Sequence, residues 1–157
     1  MTRGLIARLP AGDLLFTAKY RGYPITVSHA TAAELADLAE RPTSKIVDEL
    51  TRWGVVAVRS SAGGRRTTLH AVGWQRSQAT PWVTSPLREV TLGPIIVGTV
   101  SGQAYRLIGK PEEPLGDDLM AALAENLASW GLDEVKAVAA SKTPLDPHTE
   151  QRRVARE

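Results

Sequence analysis

The sequence predicts an α+β fold, with antiparallel β-hairpins packed against short helices. Two patterns carry that expectation. Apolar residues alternate about glycine-bearing turns at residues 13–28 and 95–108, the period of a half-buried strand. Apolar residues recur at helical spacing behind capping residues at residues 31–53 and 117–130. A third observation joins the halves. Leu50-Thr51-Arg52-Trp53-Gly54-Val55 is matched by Leu127-Ala128-Ser129-Trp130-Gly131-Leu132. Both read as L-x-x-W-G plus an apolar residue, a helix stop with Gly at C′ and the apolar contact of a Schellman motif. Whether the two units reflect a duplication stays open.

Residues 1–12 lack periodicity and are expected to be a flexible lead-in. Phe16, Ala18 and Tyr20 then fall on one side of a strand, and Tyr23, Ile25 and Val27 answer them across Arg21-Gly22. Pro24 has no N–H for a ladder, so the second strand is expected at an edge or starting after it. Thr31-Ala32-Ala33-Glu34 reads as a capping box opening a helix through Leu35 and Leu38. Pro42 interrupts it, and Thr43 or Ser44 caps a second helix with Ile46, Val47, Leu50 and Trp53 as its apolar face. Gly54 ends that helix. Strands follow at residues 55–60 and 65–74 about Ser61-Ala62-Gly63-Gly64.

Residues 75–86, with Pro81 and Pro86, read as a connecting loop. A strand at residues 87–92, a turn at Gly93-Pro94 and a hairpin about Ser101-Gly102 follow. Asp117 caps a helix with Leu119, Leu123, Leu127 and Trp130 on one stripe, and residues 133–140 suggest one more short helix. Residues 142–157 are expected to be flexible. Residues 13–141 therefore read as one compact domain, with 13–74 and 87–141 as its candidate subunits.

The chain has 157 residues and 43% hydrophobic content, enough for the core of an ordinary domain. It has no cysteine, which excludes thiolate zinc sites and cysteine nucleophiles and fits a reducing compartment. No apolar run approaches the ~20 residues of a membrane helix, and Leu5-Ile6-Ala7 is too short for a secretory signal. A soluble, cytoplasmic protein is expected, with no membrane partner. The net charge is +2, but residues 55–110 carry +6 and residues 111–141 carry −6. The expected strands are basic and the expected helices acidic, a field that selects partners by sign.

Enzyme signatures are near misses. Gly98-Thr99-Val100-Ser101-Gly102 places Ser one position too late for a nucleophile elbow. Residues 104–110 would need Gly at position 104 to begin a P-loop, and Pro111 stands where Ser or Thr should ligate magnesium. His29, His70 and His148 have no ligand spacing, and the paired carboxylates at Glu112-Glu113 and Asp117-Asp118 suit a linker and a helix start. The chain is thus expected to be no enzyme and to hold no cofactor or metal. Trp53 and Trp130 read as core anchors, and Trp74 and Trp82 as exposed contacts.

Residues 30–74 resemble a winged helix-turn-helix. Glu34-Leu35-Ala36-Asp37-Leu38-Ala39 stands where that family carries its first motif helix, residues 44–53 where it carries the recognition helix, and Gly63-Gly64-Arg65-Arg66 at the tip of the wing. The resemblance implies DNA binding. Lys45 and Arg52 are offset in that helix by Asp48 and Glu49, leaving it net neutral. Trp82-Val83-Thr84-Ser85-Pro86-Leu87, with the later Ser101-Gly102-Gln103-Ala104-Tyr105-Arg106-Leu107, is similar to a small β module of uncharacterised phage and prophage proteins. That likeness implies a mobile-element origin.

These readings converge on a small accessory protein that binds nucleic acid through a basic hairpin and sheet face. Arg59, Arg65, Arg66, Arg76 and Arg88 are expected to meet phosphate, and Lys45 and Arg52 to position the second helix. Other readings stay open. The arginines could be a solvated face that blunts edge pairing. The chain could instead be a protein-binding module or inhibitor of a host protein, acting through the acidic surface of residues 112–134. A homodimer through Trp53 or Trp130 is also open.

Overall fold

The protein is described by a computed structural model over residues 13–40, 45–60, 66–112 and 114–138. Strand β1 (Leu14–Tyr20) and β2 (Tyr23–His29) form the first hairpin. Its register sets Tyr20 against Tyr23 and Ala18 against Ile25, as the alternation predicts. Arg21 (φ 51°) and Gly22 (φ 84°) both lie in the left-handed region, the signature of a two-residue turn that follows strand twist. Helix α1 (Ala32–Ala36) is a single turn, and the capping box forms: the Thr31 hydroxyl accepts from Glu34 N–H while the Glu34 carboxylate accepts from Thr31 N–H.

The next element overturns the predicted class. Lys45–Ser60 is one long strand, β3, where a second helix is expected over residues 44–53. Pro42, Thr43 and Ser44 lie outside the described residues. β4 (Arg66–Gln75), β5 (Thr80–Val83), β6 (Leu87–Leu92), β7 (Ile95–Thr99) and β8 (Gln103–Leu107) follow, then helix α2 (Asp117–Ser129) and β9 (Asp133–Ala137). The expected loop at residues 75–86 thus contains a strand. The short helix expected after residue 132 is also a strand, paired with β1. Among the described residues, nine strands in a mixed sheet and only two helices replace the helix-packed α+β arrangement.

The sheet runs β6-β7-β8-β3-β2-β1-β9, with β4 on the other edge of β3 and β5 beyond it. β3 serves two neighbours along one edge. Residues Lys45 to Leu50 pair in parallel with β8, and Val56 to Ser60 pair antiparallel with β2. β2 is therefore internal, which corrects the edge expected from Pro24. Pairing of β2 with β3 begins only at Ile25, so Pro24 faces no β3 acceptor with its missing N–H.

Between the two halves of β3 lies a β-bulge. Thr51 pairs with Trp74 and Gly54 with Val72, so Arg52 and Trp53 together oppose Gly73 alone. Arg52 takes φ 51° there. A Cβ on Gly73 would lie 3.0 Å from both Leu50 Cβ and the Thr51 carbonyl oxygen, so the bulge needs a glycine across from it.

Past the bulge, β3 is buried on both faces, as a run of consecutive apolar residues requires. Val55 and Ala57, with Ala71 and Leu69 opposite, pack against Leu87, Val90 and Val97 of the β6–β8 meander. Val56 and Val72 on the reverse face pack with Val27 and Phe16 under Leu119, Leu123 and Leu127 of α2. Helix α2 packs over β4, β5 and β9. Beyond its C-terminal end, the same sheet face opens into a cleft.

Candidate functional site: an aromatic and cationic cleft

The predicted basic residues do not converge. Arg52, at the bulge, grips two carboxylates: its Nε and one terminal nitrogen donate to Glu112, and both terminal nitrogens donate to Asp118, the shortest at 2.7 Å. Asp118 and then Glu112 hold the guanidinium charged well beyond its ordinary range, and in return Arg52 lowers the Asp118 carboxyl below the usual carboxylate value. Glu112 also accepts from Gly116 N–H at 2.7 Å, so Arg52 ties the start of α2 to β3. The cation is structural.

Arg59 points to the other side of the sheet, donating to Glu34 of α1 at 2.5 Å and to Ser28 Oγ. Arg76 lies 2.7 Å from Glu49, which also receives Arg106. Arg88 lies 3.8 Å from the buried Glu89 carboxylate. Lys45 is exposed at the start of β3. Arg65 lies outside the described residues. Of the residues singled out from sequence, Arg66 lines a cleft.

That cleft lies on the sheet face beyond α2 and measures about 820 Å³. Strand register builds it. Ile25 opposes Ser60, Val58 opposes Thr68, and Ser60 opposes Arg66, which puts these side chains on one face. Ile25 and Val58 make an apolar floor. Tyr20 and Tyr23, a cross-strand pair, flank the first turn, and Trp130 and Leu132 also line the cleft. Tyr23 is 53% exposed and Trp130 37% exposed, so both rings are reachable. Arg21 and Arg66 are the arginines of the lining, and no carboxylate lines it among the described residues. Arg21 sits 5.2 Å from the centroid of the Tyr20 ring, a cation–π arrangement.

Comparison with protein-family models, with curated proteins and with solved structures returns no match. The cleft must therefore be read from its own chemistry.

His70 backs the Trp130 wall. The two rings are stacked, 4.7 Å between centroids and 29° between planes. Nδ1 of His70 lies 2.9 Å from the Thr84 carbonyl oxygen, which only accepts, so Nδ1 carries the proton. Nε2 then accepts from the Thr68 hydroxyl at 2.9 Å. Burial lowers the His70 pKa, against a smaller opposite pull from the Thr84 carbonyl. Both ring nitrogens are engaged, Nδ1 by the Thr84 carbonyl and Nε2 by the Thr68 hydroxyl, which fixes the plane of the ring against Trp130.

Among the described residues, no group of three or more His, Asp or Glu side chains is placed to hold a metal ion. No helix there is long and apolar enough to cross a membrane. Trp53 is fully buried, as expected of a core anchor, and its indole N–H donates to the Gly109 carbonyl at 3.1 Å. Trp130, expected beside it as an anchor, is a half-exposed wall. Trp82 is exposed, as expected. Sequence reading missed Arg21, Tyr20 and Tyr23 as site residues. The signal was present: an aromatic residue on each side of Arg21-Gly22 is a cross-strand pair once the turn is recognised.

Proposed function

We propose that the chain is a non-catalytic binding protein that takes nucleic acid in the aromatic and cationic cleft and not across a broad basic face. One observation carries this reading: exposed Tyr23 and Trp130 share a concave site with Arg21 and Arg66, and among the described residues no carboxylate lines it. Rings offer stacking to bases, and unopposed guanidinium groups attract phosphate. Arg52, Arg59 and Arg76 are committed to Glu112 and Asp118, Glu34 and Glu49 and are poorly placed to release counterions. The other reading, docking of a host protein on the acidic stretch of residues 112–134, has less to offer. Glu112 and Asp118 already hold Arg52, and Glu134 faces Lys19 at 3.8 Å.

Salt dependence tests the proposal. For a single strand, log K against log salt falls with a slope of roughly −0.7 for each phosphate neutralised. Two arginines predict a slope of about −1.4, while the seven residues of the broad basic face would give about −5. Fluorescence anisotropy with a labelled oligonucleotide should show the shallow slope. Arg66→Ala should weaken binding, and Arg76→Ala should leave it unchanged. A slope near −5, or equal loss from Arg76→Ala, points back to the broad face. No binding at any salt concentration rejects the nucleic-acid reading.

A further inference from the structure

Resting on that reading, we infer that the cleft takes an unpaired strand, with bases stacked on Trp130 and Tyr23 and the flanking phosphates on Arg66 and Arg21. Four features of the cleft lead there. Its floor is apolar, Ile25 and Val58, and a duplex turns its charged backbone and polar base edges outward while its flat base faces stay stacked inside. Seating a duplex would bring phosphate over hydrocarbon, whereas an unpaired base is a flat ring suited to that floor. The cations come from two elements: Arg21 in the β1–β2 turn and Arg66 at the start of β4. The volume of about 820 Å³ is that of a small-molecule site, enough for a few rings and far too small for a helix of nucleic acid.

Preorganisation is the fourth feature. Trp130 is the C-cap of α2, and the following Gly131 closes the helix with hydrogen bonds from Gly131 N–H to Ala128 O at 3.0 Å and from Leu132 N–H to Leu127 O at 3.2 Å. His70 then stacks on the indole. The ring is held from its backbone and from one side before any ligand arrives, which reduces the ordering that binding must impose. One polar atom of the lining is already used: Thr68 Oγ1 donates to His70 Nε2. Stacking on a π-face reads no base edge, so the strand is held with weak sequence preference.

A free nucleotide carries the same ring and phosphate, so the test must separate it from a strand. The full chain is titrated by anisotropy against a labelled 12-nucleotide mixed-sequence single strand, its duplex, and an abasic strand of equal length, with adenosine monophosphate as competitor. The single strand should bind about tenfold or more tightly than the duplex or the abasic strand. Trp130→Ala should remove most of that advantage and Trp130→Phe should keep it, with thermal unfolding confirming that both variants fold. Adenosine monophosphate should compete only at concentrations at least a hundredfold higher than the strand.

Equal affinity for all three oligonucleotides overturns the unpaired-strand inference and leaves nucleic-acid binding standing. Competition by the mononucleotide at concentrations equal to the strand overturns it in favour of a free-nucleotide site. No binding of any oligonucleotide removes the underlying reading itself.

Discussion

Residues 50–55 and residues 127–132 share one pattern, L-x-x-W-G plus an apolar residue, and adopt opposite structures. At 127–132 the pattern closes a helix. Gly131 takes φ 93°, its N–H reaches Ala128 O, and Leu132 N–H reaches Leu127 O, the two bonds of a Schellman motif. At 50–55 it makes a bulge inside a strand, and the positive φ falls on Arg52 and not on Gly54. The neighbours decide. Ahead of Leu127 stand Leu119, Met120, Ala121, Ala122, Leu123 and Ala124, all strong helix formers. Around Leu50 stand Ile46, Val47, Thr51 and Val55, all β-branched, with β4 on one edge of the segment and β8 on the other. A stop signal has meaning only if a helix precedes it.

The sharpest way to test that contrast is to remove the same letter from each copy. Trp53 is fully buried between β3 and the β6–β8 meander and donates to Gly109 O, whereas Trp130 is a half-exposed wall. Trp53→Ala is expected to cost about 3–5 kcal/mol, the range for a large buried aromatic. Trp130→Ala is expected to cost about 1 kcal/mol, since most of its partners lie on one side. Urea unfolding measures both. Similar losses would mean that the two tryptophans do one job and that the bulge is not the heavier structural element.

The glycines provide the second test, with smaller effects. Gly131→Ala places a Cβ in the left-handed region and is expected to cost about 1–2 kcal/mol. At the bulge the sensitive glycine is Gly73 on the partner strand, where a Cβ meets the Thr51 backbone oxygen at 3.0 Å. Gly73→Ala is expected to cost about 1–3 kcal/mol through crowding and not through φ. The two differ in rescue: Gly131→Asn should recover part of the loss because Asn tolerates left-handed backbone, while Gly73→Asn should recover none. Rescue at both positions would contradict the bulge geometry.

How far the sequence could be read follows from the same contrast. The first hairpin, the capping box at Thr31, the hairpins after residues 60 and 100, and the Leu119-Leu123-Leu127 stripe were legible because each is set by local chemistry. The long strand was not. Leu50 and Trp53 both face the core three residues apart, which reads as a helical period, but the bulge at Arg52 produced that spacing by inserting a residue into a strand. The same error hid the site. Linear density of arginine favoured residues 55–88, yet folding pairs Arg52, Arg59 and Arg76 with carboxylates from distant segments. The cleft instead combines Tyr20, Arg21, Arg66 and Trp130, which no stretch of sequence holds together.

The smallest expected effect concerns pH, at the point where the helix-closing copy of the pattern meets the sheet. His70 stacks on Trp130 as a neutral ring, its proton on Nδ1 and its Nε2 occupied by Thr68. Burial lowers its pKa from the ordinary 6.5, and the cleft beside it holds Arg21 and Arg66 but, among the described residues, no carboxylate that could stabilise an imidazolium. The unfolded chain therefore binds the proton more readily than the folded one. Stability is fully present above pH 6.5, falls as pH drops below 6.5, and levels off once the folded protein also protonates. His70→Gln removes that titration, so the difference between wild type and variant in urea midpoint should change between pH 7.5 and pH 5.5, with the wild type losing more. Because the Trp130 ring covers one face of His70, that acid sensitivity should leave with Trp130→Ala as well if ring stacking keeps the imidazole dry. Parallel pH profiles for wild type and His70→Gln would mean that the ring titrates as it does in water, and that the Trp130 wall does not depend on it.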